Sequence, residues 1–358
     1  MKNLYAVILC GGKGERFWPK SRANLPKQFV TLFGKHSLTK ETSERIKKLC
    51  PLNRQLFVAP SRFAPLLKKE IKVKPQNLIL EPTGRNTAPA IGLSAAMLYQ
   101  RDPDAVMVVL PADHIIAPAS SFLKAVKLAA AVAQQGRLVT FGVVPTRPDT
   151  GYGYIHFGEE IYKRAGLSAY QVLEFKEKPD LATARRYVKS GRYLWNSGMF
   201  VWRADAILAA FQRFMPEFYN QLSAFTAVIG TGKEKGMIER IYHRVESISV
   251  DYAIMERADN VAVVRSDFQW DDVGSWLALE RRFPKDKDGN VCAGLWFGRD
   301  TRNCIIYSDD GVIATLGLKD LVIARSDDAL LVAHKSAIGR LKELLGEMAQ
   351  DQKGKKFL

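Results

Sequence analysis

Residues 6–29 read AVILCGGKGERFWPKSRANLPKQF, an apolar run followed by three glycines and five cations. Gly11, Gly12 and Gly14 let backbone N–H groups come close to an anion. The cations are Lys13, Arg16, Lys20, Arg22 and Lys27. A guanidinium such as Arg16 grips phosphate with two parallel N–H bonds, and an ammonium such as Lys27 acts as a point charge. The chemistry suggested is that of a polyphosphate held while one bond breaks. The loop is not a Walker A motif, which needs G-x-x-x-x-G-K-[ST], and the dinucleotide fingerprint fails because Phe17 replaces its third glycine. A G-G-x-G alone would be an ordinary tight turn with solvated cations; the longer string favours the phosphate reading.

Two acidic segments could complete such a site. Asp113 follows the apolar run AVMVVLPA, at the carboxyl end of a predicted strand, and Asp271 and Asp272 stand in WDDVG. An isolated aspartate after a strand is ordinarily a turn or helix-cap residue. Thr87 and Pro89 in EPTGRNTAPA suit the start of a helix, and Asp251 opens the helix-like DYAIMERA and suits a cap. Arg85 reads equally as a phosphate contact or a surface salt bridge. Neither G-x-S-x-G nor H-E-x-x-H occurs, and the five histidines are scattered.

These residues need a scaffold, and the chain supplies one. Apolar runs at 5–10, 55–59, 77–81, 105–110 and 137–144 alternate with helical patterns at 38–50, 87–100 and 119–135. This predicts an α/β fold with a mostly parallel sheet covered on both faces. Ligands collect beyond the carboxyl ends of such strands, where the loops after residues 10, 81 and 110 lie. From 151 to 280 the pattern mixes β-like GYGYIHF and WNSGMFVW with helical stretches at 180–190 and 204–215. FPKDKDGN, at 283–290, reads as a linker. Beyond it, SDD triplets at 308–310 and 326–328, 18 residues apart, mark short strands: coils of a β-helix or a plain meander. A terminal helix at 336–349 aligns Ile338, Leu341, Leu345 and Met348 on one face. The expected domains are 1–282, a linker at 283–290, and a small C-terminal β domain with its helix at 291–358.

Bulk composition narrows the class. A chain of 358 residues, 47% hydrophobic, can bury a full core. A formal charge of +16 and a pI near 9.6 call for an anionic partner. The basic residues are spread along the chain rather than gathered in a stripe, which disfavours nucleic acid. Four separated cysteines without a C-x-x-C pair argue against a disulfide framework or a zinc site. The first apolar run is too short for a signal peptide and no apolar stretch reaches membrane length, so a cytoplasmic protein is expected.

The string G-G-x-G-x-R-x-W-P-x-S-R followed by P-K-Q-F resembles the signature of sugar-nucleotide pyrophosphorylases, specifically of the mannose-1-phosphate guanylyltransferases. EPTGRNTAPAI (81–91), PADH (111–114), GYGYI (151–155), EKP (177–179), WNSGMF (195–200), SVDYAIME (249–256) and WDDVGSW (270–276) continue it in the family's order. The resemblance implies a Rossmann-like, GT-A-type fold and transfer of GMP from GTP to α-D-mannose 1-phosphate, giving GDP-mannose and pyrophosphate. It implies a catalytic set of Arg16, Lys27, Asp113 and Asp272, with the two aspartates holding Mg²⁺ or another divalent cation. The family pattern selects Asp272, directly before Val-Gly, over Asp271; His114 is read as a positioning or structural residue. Gly11, Gly12, Gly14, Arg16 and Lys27 would face the triphosphate, Asn86 and Thr87 the guanine, and Gly153, Glu177, Lys178, Asn196 and Asp251 the sugar phosphate. Tyr152, Tyr154, Trp195 and Phe200 are read as core residues. Homodimers are common among relatives, so one is expected here. Some relatives carry a fused isomerase domain, for which the residues after the linker are too few. The competing readings are a related pyrophosphorylase for another hexose 1-phosphate or nucleotide, and a basic nucleic-acid-binding protein that would leave the aspartates and the sugar blocks unexplained.

Overall fold

The computed structural model describes residues 2–12 and 14–358; of the five loop cations, Lys13 lies outside the described residues. The chain forms two compact units, residues 1–11 with 39–270, and residues 12–38 with 271–358.

The first unit is built on a nine-stranded sheet. Its strands are β1 (Leu4–Leu9), β2 (Gln55–Pro60), β3 (Leu78–Glu81), β4 (Val106–Pro111), β5 (Leu138–Val143), β6 (Tyr154–Arg164), β7 (Leu167–Lys176), β8 (Tyr193–Arg203) and β9 (Val261–Arg265), in the spatial order β3-β2-β1-β4-β8-β5-β9-β7-β6. The first four and the β5–β9 pair run parallel. β8 enters antiparallel between β4 and β5, and β6 and β7 pair antiparallel beyond β9. The aromatic and glycine-rich blocks thus become the mixed half of a mostly parallel sheet.

The near-continuous apolar strands serve two cores at once, because successive side chains point to opposite faces. Val7, Met107 and Val109 join one core with helices α1 (Thr87–Arg101), α3 (Ala204–Phe214), α4 (Pro216–Thr226) and α5 (Glu234–Arg244). Ala6, Val106 and Val108 join the other with α2 (Ala119–Ala133). The sequence reading passes over the helices at 216–226 and 234–244. The segment predicted helical at 38–50 stops at Ile46. Tyr154, Trp195 and Phe200 are buried as expected, whereas Tyr152 is half-buried, edge-on to Trp195 and Trp270.

In the second unit β10 (Val291–Arg299), β11 (Ile305–Leu316), β12 (Leu321–Ser326) and β13 (Ala329–His334) form one sheet in chain order. β10–β11–β12 are parallel with only short connections, the coil of a β-helix, and β13 closes it as an antiparallel hairpin strand. The two SDD triplets do not stack: Ser308 pairs with Arg325, one position short of Ser326. The first triplet lies where the β10–β11 register slips, and the second makes the β12–β13 turn, with Asp327 at φ 49°. The final helix α6 spans Leu341–Gln350 after a 3-10 turn, with Ile338, Leu341 and Leu345 buried.

Two cations of the opening loop are committed to this unit rather than left for an anion. Lys20 Nζ meets Asp309 at 2.8 Å, and Arg22 meets Asp328 at 2.7 Å. Arg22 also donates to the Phe357 carbonyl at 2.8 Å, as does the Trp18 indole N–H at 2.7 Å. Trp276 in turn donates to the Trp18 carbonyl at 3.0 Å. The loop reading therefore narrows: Lys20 and Arg22 anchor the segment, and Arg16 is exposed.

Candidate active site

In the second unit the glycine loop and Lys27 are fitted to one another. Gly14 sits at φ 65°, and a Cβ there would fall 2.5 Å from the Lys27 backbone nitrogen, so only glycine fits. Lys27 is 7% exposed, and its Nζ donates to the Asp272 carbonyl at 2.6 Å. Gln28 ties back to the Gly12 carbonyl at 3.3 Å. A Cβ on Gly12 would point into open space, and so would one on Gly11, the last residue of this stretch of the first unit. Such a loop exposes its main chain and keeps a buried ammonium behind it.

The two neighbouring aspartates have different roles. Arg281 forks Asp271 at 2.5 and 2.8 Å, and Val273 N–H donates to the same carboxylate at 2.8 Å. Burial alone would raise the Asp271 carboxyl; the Arg281 guanidinium and the Val273 amide nevertheless hold it below the usual range. Asp271 is thereby a structural residue. Asp272 is half-buried beside Gly274, where an added Cβ would approach its Oδ2 at 3.1 Å. Arg281, which gives the structural task to Asp271, has no motif that marks it in the sequence.

In the first unit Asp113 follows β4, at the carboxyl end of a parallel strand as expected, with its carboxylate partly exposed. His114 Nε2 lies 4.0 Å from Asp113 Oδ1, and the Trp270 indole N–H donates to His114 Nδ1 at 3.1 Å. That bond leaves the proton of neutral His114 on Nε2, facing Asp113. Among the described residues no group of three or more His, Cys, Asp or Glu forms a metal cage. A partly exposed carboxylate at a strand end suits Mg²⁺, which binds one or two carboxylates and keeps positions for phosphate oxygens and water.

The segment after β3 also departs from its expected form. The α1 cap is Asn86, not Thr87: Asn86 adopts φ 65° and its side-chain oxygen accepts from Thr87 N–H at 2.9 Å. Arg85 is spent on the main chain rather than on a surface carboxylate; its Nε donates to the Tyr242 carbonyl at 2.9 Å. Tyr242, fully buried on α5, donates to Glu81 Oε1 at 2.8 Å. Burial pushes the Glu81 carboxyl up to about 7, with the Tyr242 bond pulling the other way.

The five residues that the resemblance assigns to the sugar phosphate do converge. Asn196 N–H donates to the Gly153 carbonyl at 2.8 Å, and Asn196 Nδ2 donates to Asp251 Oδ1 at 2.8 Å. Lys178 Nζ contacts Glu177 Oε1 at 2.5 Å. A Cβ on Gly153 would collide with Glu177 Oε2 and crowd Asn196 Cβ at 3.2 Å. Asp251 caps nothing: it begins a five-residue π-helix and turns its carboxylate to Asn196. Burial first, and then the nearby Glu177 charge, raise the Asp251 carboxyl. Lys178 is raised although burial would lower it, because Glu177 favours its charged form. Glu177 Oε2 is buried without a hydrogen-bond donor, an acceptor that a hydroxyl can satisfy. Thr140 is the residue sequence reading missed: buried on β5, its hydroxyl lies 3.0 Å from both Asn196 Oδ1 and the Met199 carbonyl. The Gly198 N–H donates to Asn196 Oδ1 at 3.1 Å and so fixes which end of the amide faces Asp251.

Fold and site together define a nucleotidyl transferase, and the family described by that name matches residues 5–289. Residues 298–348 match a second pattern, the MannoseP isomerase/GMP-like beta-helix domain. The chain is 40% identical over 354 residues to the mannose-1-phosphate guanylyltransferase of Escherichia coli K12, covering 97% of this chain and 74% of the relative. It is 39% identical over 354 residues to that of Klebsiella pneumoniae, covering 98% and 75%. A Thermus thermophilus structure described as a mannose-1-phosphate geranyltransferase is similar with a TM-score of 0.86 at 35% identity, over 97% of this chain and 99% of that one. The chain belongs to the nucleotidyl transferase family, among the mannose-1-phosphate guanylyltransferases.

The Glu81–Tyr242 bond has a measurable pH signature. A carboxyl raised from an ordinary value of 4.5 to about 7 takes up a proton on folding. Its stabilisation is complete below about pH 4.5 and is lost as pH rises to about 7. Relative to Glu81→Gln, which stays neutral, the unmodified protein should lose up to about 3 kcal/mol across that window. Denaturant titrations of both proteins at a series of pH values measure the difference; parallel stability curves would contradict it.

Proposed function

We propose that this chain transfers GMP from GTP to α-D-mannose 1-phosphate, giving GDP-mannose and pyrophosphate. The observation that carries the sugar half is the convergence of Gly153, Glu177, Lys178, Asn196 and Asp251, with Glu177 Oε2 left as an acceptor. Hydroxyls need carboxylate and amide partners, and the sugar's phosphate needs a cation such as Lys178. The nucleophile is a phosphate oxygen already ionised at neutral pH, so no general base is needed. Positioning in line with the α-phosphorus and neutralising the leaving pyrophosphate are the main tasks.

Gly11, Gly12 and Gly14 present main-chain N–H groups to the triphosphate, with Arg16 and Lys27 supplying positive charge. Asn86 offers its amide to the guanine edge. Asp113 and Asp272 are our candidates for carboxylates that hold a divalent cation, Mg²⁺ in this reading. When bound, it would neutralise phosphate oxygens as pyrophosphate leaves. We assign the reaction to the cytoplasm, where nucleoside triphosphates are made and spent, and take residues 1–282 as catalytic, 283–290 as a linker and 291–358 as the β domain.

The working form is proposed to be a homodimer. Leu295, Phe297, Val312 and Leu316 alternate along β10 and β11 in matched register, and each is roughly half exposed or more, which makes one apolar sheet face. Light scattering should give twice the chain mass, and Phe297→Lys should shift it towards the monomer. A monomer at all concentrations would remove the proposal.

Pyrophosphate release with Mg²⁺, mannose 1-phosphate and each of GTP, ATP, UTP, CTP and dTTP tests the reaction. Release should be largest with GTP, depend on the sugar phosphate, and fall by about 10²-fold or more in Asp113→Asn. Release with another nucleotide or hexose phosphate would keep the chemistry and move the specificity. No release from folded protein would end the proposal.

Gly153→Ala should push Glu177 aside and raise KM for mannose 1-phosphate by about 10-fold, with the fold retained. An unchanged KM would separate Glu177 from the sugar.

A further inference from the structure

Segment 81–88, which carries the nucleotide residues, is tied to segment 242–250 at four points. Tyr242 donates to Glu81 at 2.8 Å, and Arg85 donates to the Tyr242 carbonyl at 2.9 Å. Ala88 N–H donates to the Ile248 carbonyl at 3.2 Å, and Val250 N–H donates to Thr87 Oγ1 at 2.9 Å. The last contact falls one residue before Asp251. The hydroxyl that the family resemblance turns towards guanine also accepts from the main chain leading into the sugar carboxylate.

Asp251 thus has two supports of different kinds. Asn196, oriented by the Gly198 N–H, holds the carboxylate from β8. Thr87 holds the backbone from the first residue of α1. Asn86, immediately before it, sits at φ 65° with its side-chain oxygen accepting from Thr87 N–H, which links the two residues. A chain of two hydrogen bonds thus runs from the Asn86 amide through Thr87 to Val250, the neighbour of Asp251.

We propose that Thr87 is a positioning residue for Asp251, coupling the nucleotide loop to the sugar-phosphate pocket. Nucleotide that orders residues 85–87 also orders Asp251 and tightens mannose 1-phosphate, and by linkage the sugar phosphate tightens nucleotide by the same factor. The inference rests on the sugar-pocket reading above, and its test separates the two.

Calorimetry gives the Kd of mannose 1-phosphate with and without a non-hydrolysable GTP analogue, and initial rates give both KM values. Thr87→Val keeps the branched shape and removes the acceptor. It should weaken mannose 1-phosphate by about 3- to 10-fold, the scale of one hydrogen bond. It should also abolish the tightening caused by the analogue and change KM for GTP less. Thr87→Ser, which restores the acceptor, should return both quantities close to those of the unmodified protein. A rise in KM for GTP alone would overturn the inference and return Thr87 to the base. Asp251→Asn is the control: if it weakens the sugar phosphate while Thr87→Val does not, the coupling is wrong and the pocket stands. If Asp251→Asn has no effect on that Kd, the pocket reading fails and the coupling with it. Should Thr87→Val not fold, Thr87→Ala removes the same acceptor and must also weaken mannose 1-phosphate; an unchanged Kd there overturns the coupling.

Discussion

Two carboxylates, Glu177 and Asp251, share one pocket largely out of contact with water, and much of the first unit is arranged around that constraint. Like charges at short range in a poorly solvated site raise one another's proton affinity, which is what Asp251 shows. Each neighbour addresses part of the cost. Lys178 brings a positive charge to one oxygen of Glu177, and the Asn196 amide gives Asp251 a donor. Glycine at 153 leaves the remaining Glu177 oxygen its space. A ligand that offers hydroxyls to the carboxylates and an anion to the lysine relieves the same tension, so the pocket is preorganised by its own electrostatic discomfort.

The sheet topology supplies the geometry. Parallel strands β1–β4 deliver their following loops to one edge, where Asp113 and the segment after β3 lie. β8, inserted antiparallel, brings Asn196 alongside Thr140 on β5. A wholly parallel sheet would not set those two side chains beside one another in this order. The mixed half of the sheet is therefore what brings Asn196 and Thr140 together.

Much of this was legible in the residues. The apolar runs marked the parallel strands because strands buried on both faces cannot alternate, and the linear blocks around 86, 153, 177, 196 and 251 named side chains that do meet or sit on adjoining segments. What was hidden depended on long-range pairing. Thr140 is one polar residue in an apolar strand, and only the irregular pairing of β5 with β8 brings Asn196 and the Met199 carbonyl within its reach. Asn86 displaces Thr87 as the cap because a positive φ, invisible in sequence, turns its side chain onto the next N–H. The cations Lys20 and Arg22 resembled phosphate ligands because their acidic partners, Asp309 and Asp328, lie some three hundred residues later. The SDD repeat suggested coils correctly, but its period missed the actual stacking by one residue.

The commitment of residues 12–38 to the C-terminal unit makes that unit a module assembled from two distant stretches of sequence. The glycine loop is held through Trp18, Lys20 and Arg22 onto Phe357, Asp309 and Asp328. A recombination event that exchanged only the β domain between two members of the family would separate these partners. The compatible unit of inheritance is the pair, loop and coil together, and substitutions at Asp309 or Asp328 are expected to be traded against changes near residue 20 as the lineage diverges.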